Sequence, residues 1–544
     1  MRKILTLIAG TLITGNLLAG GLVTNTNQSA SWVRMPARNA SVGIDAAYYN
    51  PAGLMKLENG FHFSINNQTI FQTRTITSTY PYLNDRVDGV RTYKGNVVAP
   101  LFPSVYAVYK MDKLAFSIGF MPIGGGGGAT YEDGLPSFEV GQSDLVPALA
   151  ASMGATAYRM DVNFEGSSTF LGYQGAVSYK ITDWISVAAG ARFVTAKNNY
   201  TGYLKDIQVN TASGWLPAST IMTGIAGQAK TGGDNLAPII TAGAGGLTAA
   251  QLVAAGQMTP AQRDALYAGL TSLGVPNASS LTILQSQTAF YGAEQVYKNR
   301  STLLSNQEAD AEQKGSGFTP FFSLNISPVE NLNIAVKYEM VTKLELENNT
   351  TKDLTTGFLG ENPTKPITKF PDGAKIRNDM PAMLSVGAEL KVSKFNLAAG
   401  VNYYFDKTAD YGHTYDATLQ NSTDWPVAYT NEEIIEKNGF AVQAGAEYNI
   451  SDKILVSAGY AWANKGVNSK YQSDLTFANA TSTIGLGGAY TIKDKFTINI
   501  GGAYTMYTKD EKVVGHFLGS APVTSWETYT KNTIMFGIGL DLSF

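Results

Sequence analysis

The sequence predicts an all-β protein: a 14-stranded antiparallel transmembrane β-barrel with an N-terminal plug and long extracellular loops. Three observations lead to this fold class: the composition, the alternation of apolar and polar residues, and the alternation of short and long connections. Only 15% of the 544 residues are charged and 11% are aromatic, and 56 are glycine. An ordinary soluble domain has roughly 25% charged residues. Low charge with abundant aromatic residues is typical of outer-membrane barrels.

The same composition excludes several classes of protein. The chain has no cysteine, which rules out disulfides, thiol catalysis and cysteine-based metal sites. It has three histidines, His62, His413 and His516, too few for a histidine-rich metal centre. His413 and His516 are expected in or near outer loops, and neither lies in a recognisable nucleophile motif, so we predict that the protein is not an enzyme. We also predict that it has neither metal nor cofactor. The net charge of −3 gives no electrostatic case for nucleic acid. A mean hydropathy of −0.06 excludes a bundle of transmembrane helices.

The N-terminus indicates export. A short basic start, Met1-Arg2-Lys3, precedes an apolar run from Ile4 to Leu18, and Ala19 is followed by two glycines. This pattern is typical of a secretory signal peptide, which we assign to residues 1–19. A transmembrane anchor is the alternative, but the run is too short and has no stop-transfer flank. Because no cysteine follows the run, lipidation there is excluded.

Segments with a period of two supply the strands. In the last segment, Ile534, Phe536, Ile538 and further apolar residues up to Phe544 alternate with small or polar ones. Since successive side chains of a strand point to opposite faces, one face here is apolar and the other is small or polar. Similar alternation recurs in segments that begin at Phe395, Phe440 and Phe496. Aromatic residues near the segment ends match the girdles that border a lipid-facing band.

The connections give the strand count. Six short polar turns alternate with seven long polar or irregular stretches, which together join 14 strands. Short turns on one side and long loops on the other are the pattern of an outer-membrane barrel. The long stretches are expected at about residues 74–97, 124–168, 201–316, 346–380, 407–437, 466–479 and 508–531.

Residues 20–58 precede the first strand and show no strand alternation. They contain the motif Asn50-Pro51-Ala52-Gly53-Leu54. About thirty residues after a signal cleavage site and ahead of 14 alternating segments, this motif resembles the signature of the FadL-type outer-membrane transporters of long-chain fatty acids and other hydrophobic compounds. The resemblance implies that residues 20–58 form a hatch inside a barrel of residues 59–544. Pro51 fixes its own φ and favours an extended Asn50, whose side chain can satisfy a tight turn. An ordinary turn is the alternative.

The third strand is interrupted. It starts at Leu114 and alternates up to Met121, but Pro122 and a glycine run that includes Gly124, Gly125 and Gly126 follow. Proline removes a ladder donor, and repeated glycine permits bulges. The family resemblance implies a lateral exit at this kink, from the lumen into the outer-membrane lipid. The alternative is that the next loop simply begins here.

The stretch 201–316 has helical character. Thr259 is a favourable N-cap, Pro260 follows at N1, and Gly274 ends the segment. Residues 248–255 and 281–296 are further helix candidates. Apolar helices in an extracellular loop either pack on each other or form a groove for an apolar molecule, and in the family such loops capture substrate.

Six charged residues are predicted to face the lumen: Arg192, Lys337, Glu339, Glu389, Lys391 and Glu447. We expect most of them to pair with each other or with Arg34, Arg38 and Asp45 of the plug. A carboxylate ligand would need one unpaired cation beside an apolar pocket, and Arg192 and Lys337 are the best candidates for this role.

The predicted function is passive uptake of long-chain fatty acids or other hydrophobic small molecules across the outer membrane of a Gram-negative bacterium. The predicted steps are capture by the loops, rearrangement of the plug and lateral exit through the kinked third strand. The partners would be the apolar substrate and outer-membrane lipid, and the protein would be a monomer. Two alternatives stay open: a scaffold or shuttle for secretion of surface proteins, and a general porin, which a forty-residue plug would obstruct.

Overall fold

The fold is described from a computed structural model. It describes residues 24–359, 365–411, 435–469, 472–493, 495–518 and 521–544. The predicted signal peptide (1–19) and His413 lie outside these residues, as does much of the predicted loop 407–437. No helix of the described part is long and apolar enough to cross a membrane.

Fourteen strands of the described residues form the closed wall, as predicted. In chain order their bounds are β1 Gly60–Ser78, β2 Arg91–Met111, β3 Leu114–Tyr131, β4 Ala157–Lys180, β5 Ile185–Thr211, β6 Gln307–Val329, β7 Leu332–Glu339, β8 Met383–Val392, β9 Phe395–Tyr404, β10 Phe440–Asn449, β11 Ile454–Asn464, β12 Thr481–Ile492, β13 Phe496–Tyr507 and β14 Ala521–Ser543. Each strand pairs antiparallel with the next. The pairing of β1 with β14, which runs from His62↔Ser543 to Ser78↔Glu527, closes the cylinder.

The wall continues above the membrane on the long-loop side. Further strand segments there are Gly214–Pro217, Glu345–Lys352, Thr355–Leu359, Lys365–Thr368, Lys375–Arg377 and Asp510–Leu518. The strands therefore extend well into the stretches expected to be loops: β5 ends at Thr211 and β6 begins at Gln307, so the predicted loop 201–316 is shorter at both ends. The outward side chains of these extensions are polar, for example Lys197 and Lys314, because they meet water rather than lipid.

The two faces of the wall differ as the alternation predicts. Outward side chains at membrane level are apolar and uncovered by protein; Ile538 and Phe536 of β14 are each 57% exposed. Inward positions hold small or polar residues, such as Asn499 and Thr533. Aromatic pairs border the outward band near its lower edge, where the rings of Phe61 and Tyr109 lie 4.4 Å apart. A closed cylinder with an apolar outer band is the form in which strands cross a membrane.

The plug fills the bore as two short helices and a 3₁₀ turn. These are α1 Ala30–Arg34, α2 Ala46–Tyr49 and the turn Pro51–Lys56. The side chain of Ser29 caps α1 by accepting from the amide of Trp32. Nearly every residue from 28 to 55 is buried. We call residues 24–58 the hatch.

The remaining helices lie on the long-loop side. Between β3 and β4 come α3 Pro136–Ser143 and α4 Leu145–Met153, and between β5 and β6 come α5 Ala218–Asp234, α6 Ala237–Ile239, α7 Ala249–Ala254, α8 Pro260–Ser272 and α9 Ile283–Leu303. A π-helical turn, Ile240–Ala244, and the 3₁₀ turns Ala278–Ser280 and Asp406–Thr408 complete the elements.

The helix caps in the long loop agree with the sequence. Thr248 and Thr259 each form a capping box with the glutamine three residues later, and Gly274 has the positive φ of +79° expected after a helix end. The third predicted helix is capped by Thr282 and runs further, to Leu303. Leu266 and Leu270 are buried in a core that these helices share with Phe290 of α9. The two leucines therefore pack against the other helices of the loop and do not line an open groove.

Candidate functional site

The motif Asn50-Pro51-Ala52 is fastened to three strands of the wall. The Asn50 amide nitrogen donates to Asn325 Oδ1 at 2.7 Å, and its oxygen accepts from Ser323 Oγ at 3.0 Å. The hydroxyls of Ser178 and Ser186 donate to the carbonyl oxygens of Pro51 and Ala52 at 2.7 and 2.8 Å. Gly53 lies within the 3₁₀ turn Pro51–Lys56, so close to Asn50 that a Cβ would clash with the Asn50 side-chain amide. Leu54 is fully buried. The motif thus binds the hatch to β4, β5 and β6.

Inward glycines of the opposite wall let the hatch backbone approach. A Cβ on Gly501 would lie 2.7 Å from the backbone nitrogen of Arg34, and one on Gly459 would lie 2.8 Å from Pro36 Cδ. Gly387 and Gly400 make room for Asn39 in the same way. The Asn39 amide then donates to Ser385 Oγ and Asn402 Oδ1, each at 2.9 Å. The wall and the hatch are therefore complementary in shape as well as in hydrogen bonding.

The charges of the hatch are paired in the lumen, as expected. Arg34 contacts Glu447 of β10 at 2.5 Å and Ser457 of β11 at 3.0 Å. Arg38 holds Asp45 through two hydrogen bonds of 2.9 and 3.1 Å. Because removing one partner would leave a buried charge uncompensated, these pairs hold the hatch in one position.

Arg192 and Lys337 do not provide an unpaired cation, so that prediction is wrong. Arg192 makes two parallel hydrogen bonds of 2.9 Å to the Glu339 carboxylate, and Lys337 contacts the same carboxylate at 2.5 Å. Lys337 also donates to the carbonyl oxygen of Tyr48. Both cations lie against the rings of Tyr48 and Phe321. They bind the hatch helix α2 to the wall instead of a ligand carboxylate.

The wall has a gap between β2 and β3. Their ladder pairs residues from Met111↔Leu114 to Val105↔Phe120 and then resumes only at Val97↔Ala129. The interval contains Pro122 and the predicted run Gly124, Gly125 and Gly126. Gly125 has a φ of +92°, and a Cβ there would meet the carbonyl oxygen of Ser168 on β4. The register between β3 and β4 shifts twice in the same interval.

The other edge of the gap was not predicted. Pro100 and Pro103 of β2 lack the amide hydrogen that a ladder needs, and the β1–β2 register shifts beside them. Leu101, between the two prolines, is 75% exposed on the lipid side. The two prolines inside an otherwise alternating segment were the sequence signal that could have revealed this edge.

Gln28 of the hatch crosses the gap from the lumen side. Its carbonyl oxygen accepts from Ser104 Oγ and Tyr106 Oη of β2, each at 2.7 Å. Its side-chain nitrogen donates to the carbonyl oxygen of Pro122 on β3 at 2.9 Å. The amide of Asn25 also donates to Ile123 O at 2.8 Å. The hatch thus supplies hydrogen bonds that the two strands do not give each other.

An aromatic cluster lies over the hatch at the level of the strand extensions. Phe138, Phe164, Tyr200 and Phe370 follow one another at ring distances of 5.4, 6.4 and 4.8 Å. The Lys369 ammonium group lies 5.3 Å over the Phe138 ring, and burial lowers the pKa of Lys369 to about 8.

Two tyrosines of this region have hydroxyl groups left unsatisfied by the described residues. In the described part of the chain, the buried hydroxyls of Tyr93 and Tyr200 have no hydrogen-bond partner. The same part has no cluster of three metal-ligating side chains.

Comparison with known proteins gives the fold. No protein-family model and no curated protein matches the sequence. Among solved structures, a Pseudomonas aeruginosa FadL homologue superposes with a TM-score of 0.54 at 13% identity, over 96% of this chain and 100% of the other. The Pseudomonas putida toluene transporter TodX gives a TM-score of 0.51 at 13% identity and the same coverage. With its 14-stranded wall and internal hatch, this chain has the fold of the FadL-type outer-membrane barrels.

Proposed function

We propose that the protein takes up hydrophobic small molecules across the outer membrane and releases them sideways into the lipid. The gap between β2 and β3 carries this proposal, because it lies in the wall at membrane level and is covered from inside by hydrogen bonds of the hatch. An apolar molecule that leaves through the wall enters lipid directly and does not have to cross the water below the barrel. Exposing its apolar surface to water would cost a free energy of roughly 25 cal/mol per Å².

The route has three stages. The extracellular side receives the molecule, and the aromatic cluster around Phe164 and Tyr200 offers ring faces over the hatch. The hatch then shifts at Gln28, whose hydrogen bonds to β2 and β3 can be exchanged for water. The molecule leaves past Pro122 and the glycine run. Fatty acids and aromatic hydrocarbons both suit this route, and the structural neighbour TodX is a toluene transporter.

A variant that straightens β3 tests the lateral exit. Pro122→Val combined with threonine or valine at Gly124 and Gly126 should favour strand geometry and reduce the uptake of a radiolabelled apolar compound by whole cells; Gly125 is kept, because a Cβ there would meet the carbonyl oxygen of Ser168. The matched control replaces Gly224 and Gly227 with alanine on helix α5, where a Cβ meets open space. On gels run without heating, both variants should migrate as folded barrels. Uptake that stays unchanged in the straightened variant would exclude the exit.

Deletion of the gene separates uptake from the secretion alternative. Uptake predicts slower growth on an apolar carbon source, with surface proteins in place. A secretion scaffold predicts normal growth on that source and mislocalised surface proteins. A general porin is disfavoured because the hatch is fastened to strands on both sides of the bore.

A further inference from the structure

Residues 135–153 cover the aromatic cluster on the extracellular side. They comprise α3 and α4 and connect β3 to β4. Leu135 is fully buried and Phe138 is 6% exposed, and both belong to the cluster of Tyr93, Phe164 and Tyr200. The next helix, α4, rests with Leu145 and Leu149 on Ile221 and Met222 of α5. This segment therefore lies between part of the aromatic cluster and the extracellular side.

A glycine with positive φ stands at each end of the segment. Gly134 has a φ of +80°, and Gly154, the C-cap of α4, has a φ of +66°. Other residues adopt this conformation only with strain. At Gly134 a side chain would also be blocked, because a Cβ would lie 2.7 Å from Val162 Cγ1. The segment thus begins and ends at a glycine, the residue whose backbone dihedral angles are least restricted.

One carboxylate at the junction of α3 and α4 fastens the segment to two distant parts of the chain. Asp144 accepts hydrogen bonds from the hydroxyl of Tyr80, which follows β1, and from Nε2 of His516, which lies in the strand segment Asp510–Leu518. Tyr80 is fully buried and His516 is 3% exposed, and their rings meet edge-on at 5.2 Å. Both hydrogen bonds to Asp144 join side chains only.

Apart from Phe138, whose ring packs on that of Phe164, the other contacts that hold α3 are polar. The amide of Ser137 donates to Asp474 Oδ2 at 2.8 Å. Glu139 accepts from the Tyr158 hydroxyl at 2.8 Å and lies 3.6 Å from Arg91. Polar contacts of this kind exchange with water at small net cost, unlike buried apolar area. Opening of the α3 end of the segment would therefore exchange these polar contacts for water and expose the buried side chains of Leu135 and Phe138.

We propose that residues 135–153 are a lid over the aromatic cluster, and that Asp144, held by Tyr80 and His516, is its latch. The lid turns about Gly134 and Gly154 and uncovers Phe138 and Phe164 when the latch opens. The proposal concerns access to the cluster and holds whether or not the gap between β2 and β3 is the exit.

The absence of cysteine from the chain allows a direct test. Ser143→Cys places a single thiol at a fully buried position of the lid, where a membrane-impermeant maleimide reaches it on intact cells only when the lid opens. His516→Leu should raise the labelling rate of this thiol about tenfold, the effect of losing one hydrogen bond to a charged group. His516→Gln, which can still donate to Asp144, should keep the slow rate.

Three controls make the result decisive. Ser213→Cys is exposed and should label at one fast rate in every background. Asp133→Asn changes an exposed carboxylate of the same connection and should leave Ser143→Cys slow. Heat-resistant migration shows that each variant is folded. If Ser143→Cys labels at the same rate with and without the His516→Leu change, the latch is overturned. Labelling as fast as that of Ser213→Cys without any latch change would overturn the lid.

Discussion

At the edge of the gap in the wall, the carbonyl oxygen of Gln28 accepts a hydrogen bond from the hydroxyl group of Tyr106, with 2.7 Å between the two oxygens. Tyr106 belongs to β2, while the side chain of the same glutamine donates to Pro122 O on β3. One hatch residue therefore joins two neighbouring strands where their own ladder is interrupted. In the proposed route, movement of the hatch and opening of the gap would be coupled at this residue.

Tyr106→Phe should loosen that coupling. The variant keeps the ring and removes one hydrogen bond, which contributes about 0.5–1.5 kcal/mol. We expect openings in planar-bilayer recordings to become roughly two to ten times more frequent. Tyr109→Phe, on the lipid side of the same strand and 39% exposed, is the control and should record like the native protein. Opening frequencies that are equal in the two variants would show that Gln28 does not hold the hatch.

Gly501→Val should displace the hatch without unfolding the wall. A Cβ at this inward position would lie 2.7 Å from the Arg34 nitrogen, so the valine and α1 cannot occupy the bore together. The neighbouring Gly502 faces the lipid, where a Cβ has only contacts of 3.9 Å, and Gly502→Val is the matched control. We expect Gly501→Val alone to raise ionic conductance in bilayers while both variants migrate as folded barrels. If the conductance of Gly501→Val equals that of the native protein, the hatch does not block the bore.

Glu339→Gln should destabilise the protein strongly. The carboxylate is shared by Arg192 and Lys337, both almost fully buried, and its loss leaves two cations without a counter-charge. Breaking a buried ion pair costs about 3–5 kcal/mol, which a lower urea midpoint in detergent would report. Glu330→Gln, in an exposed turn, should leave the midpoint unchanged. If the two midpoints coincide, the ion cluster does not hold α2 against the wall.

The sequence predicts the parts of this fold that local patterns encode. Alternation reveals the strands because each wall residue faces either lipid or lumen, and Thr259 reveals its helix because capping is a contact over three residues. Strand ends above the membrane were missed since their outward residues, such as Lys197, are as polar as a loop. The pairing of Arg192 with Glu339 spans 147 residues and that of His516 with Asp144 spans 372. No local pattern specifies such partners, so the contact of His516 with Asp144 and the closed ion cluster are seen only in the structure.

Stability should depend on pH through Glu527, in the part of β14 that lies above the membrane. Burial, and then the charge of Asp474, raise the pKa of the Glu527 carboxyl to about 7 from its ordinary 4.5. Between these two values the folded protein holds a proton that the unfolded chain has released, so the free energy of unfolding falls as the pH rises from about 4.5 to about 7 and then levels off. Because the side chain is partly exposed, we expect a loss of about 1–2 kcal/mol. Urea titrations at pH 5 and pH 7.5 should show the drop in the native protein and in the control Glu511→Gln, an exposed neighbour, but not in Glu527→Gln. A drop that persists in Glu527→Gln would assign the titration to another group.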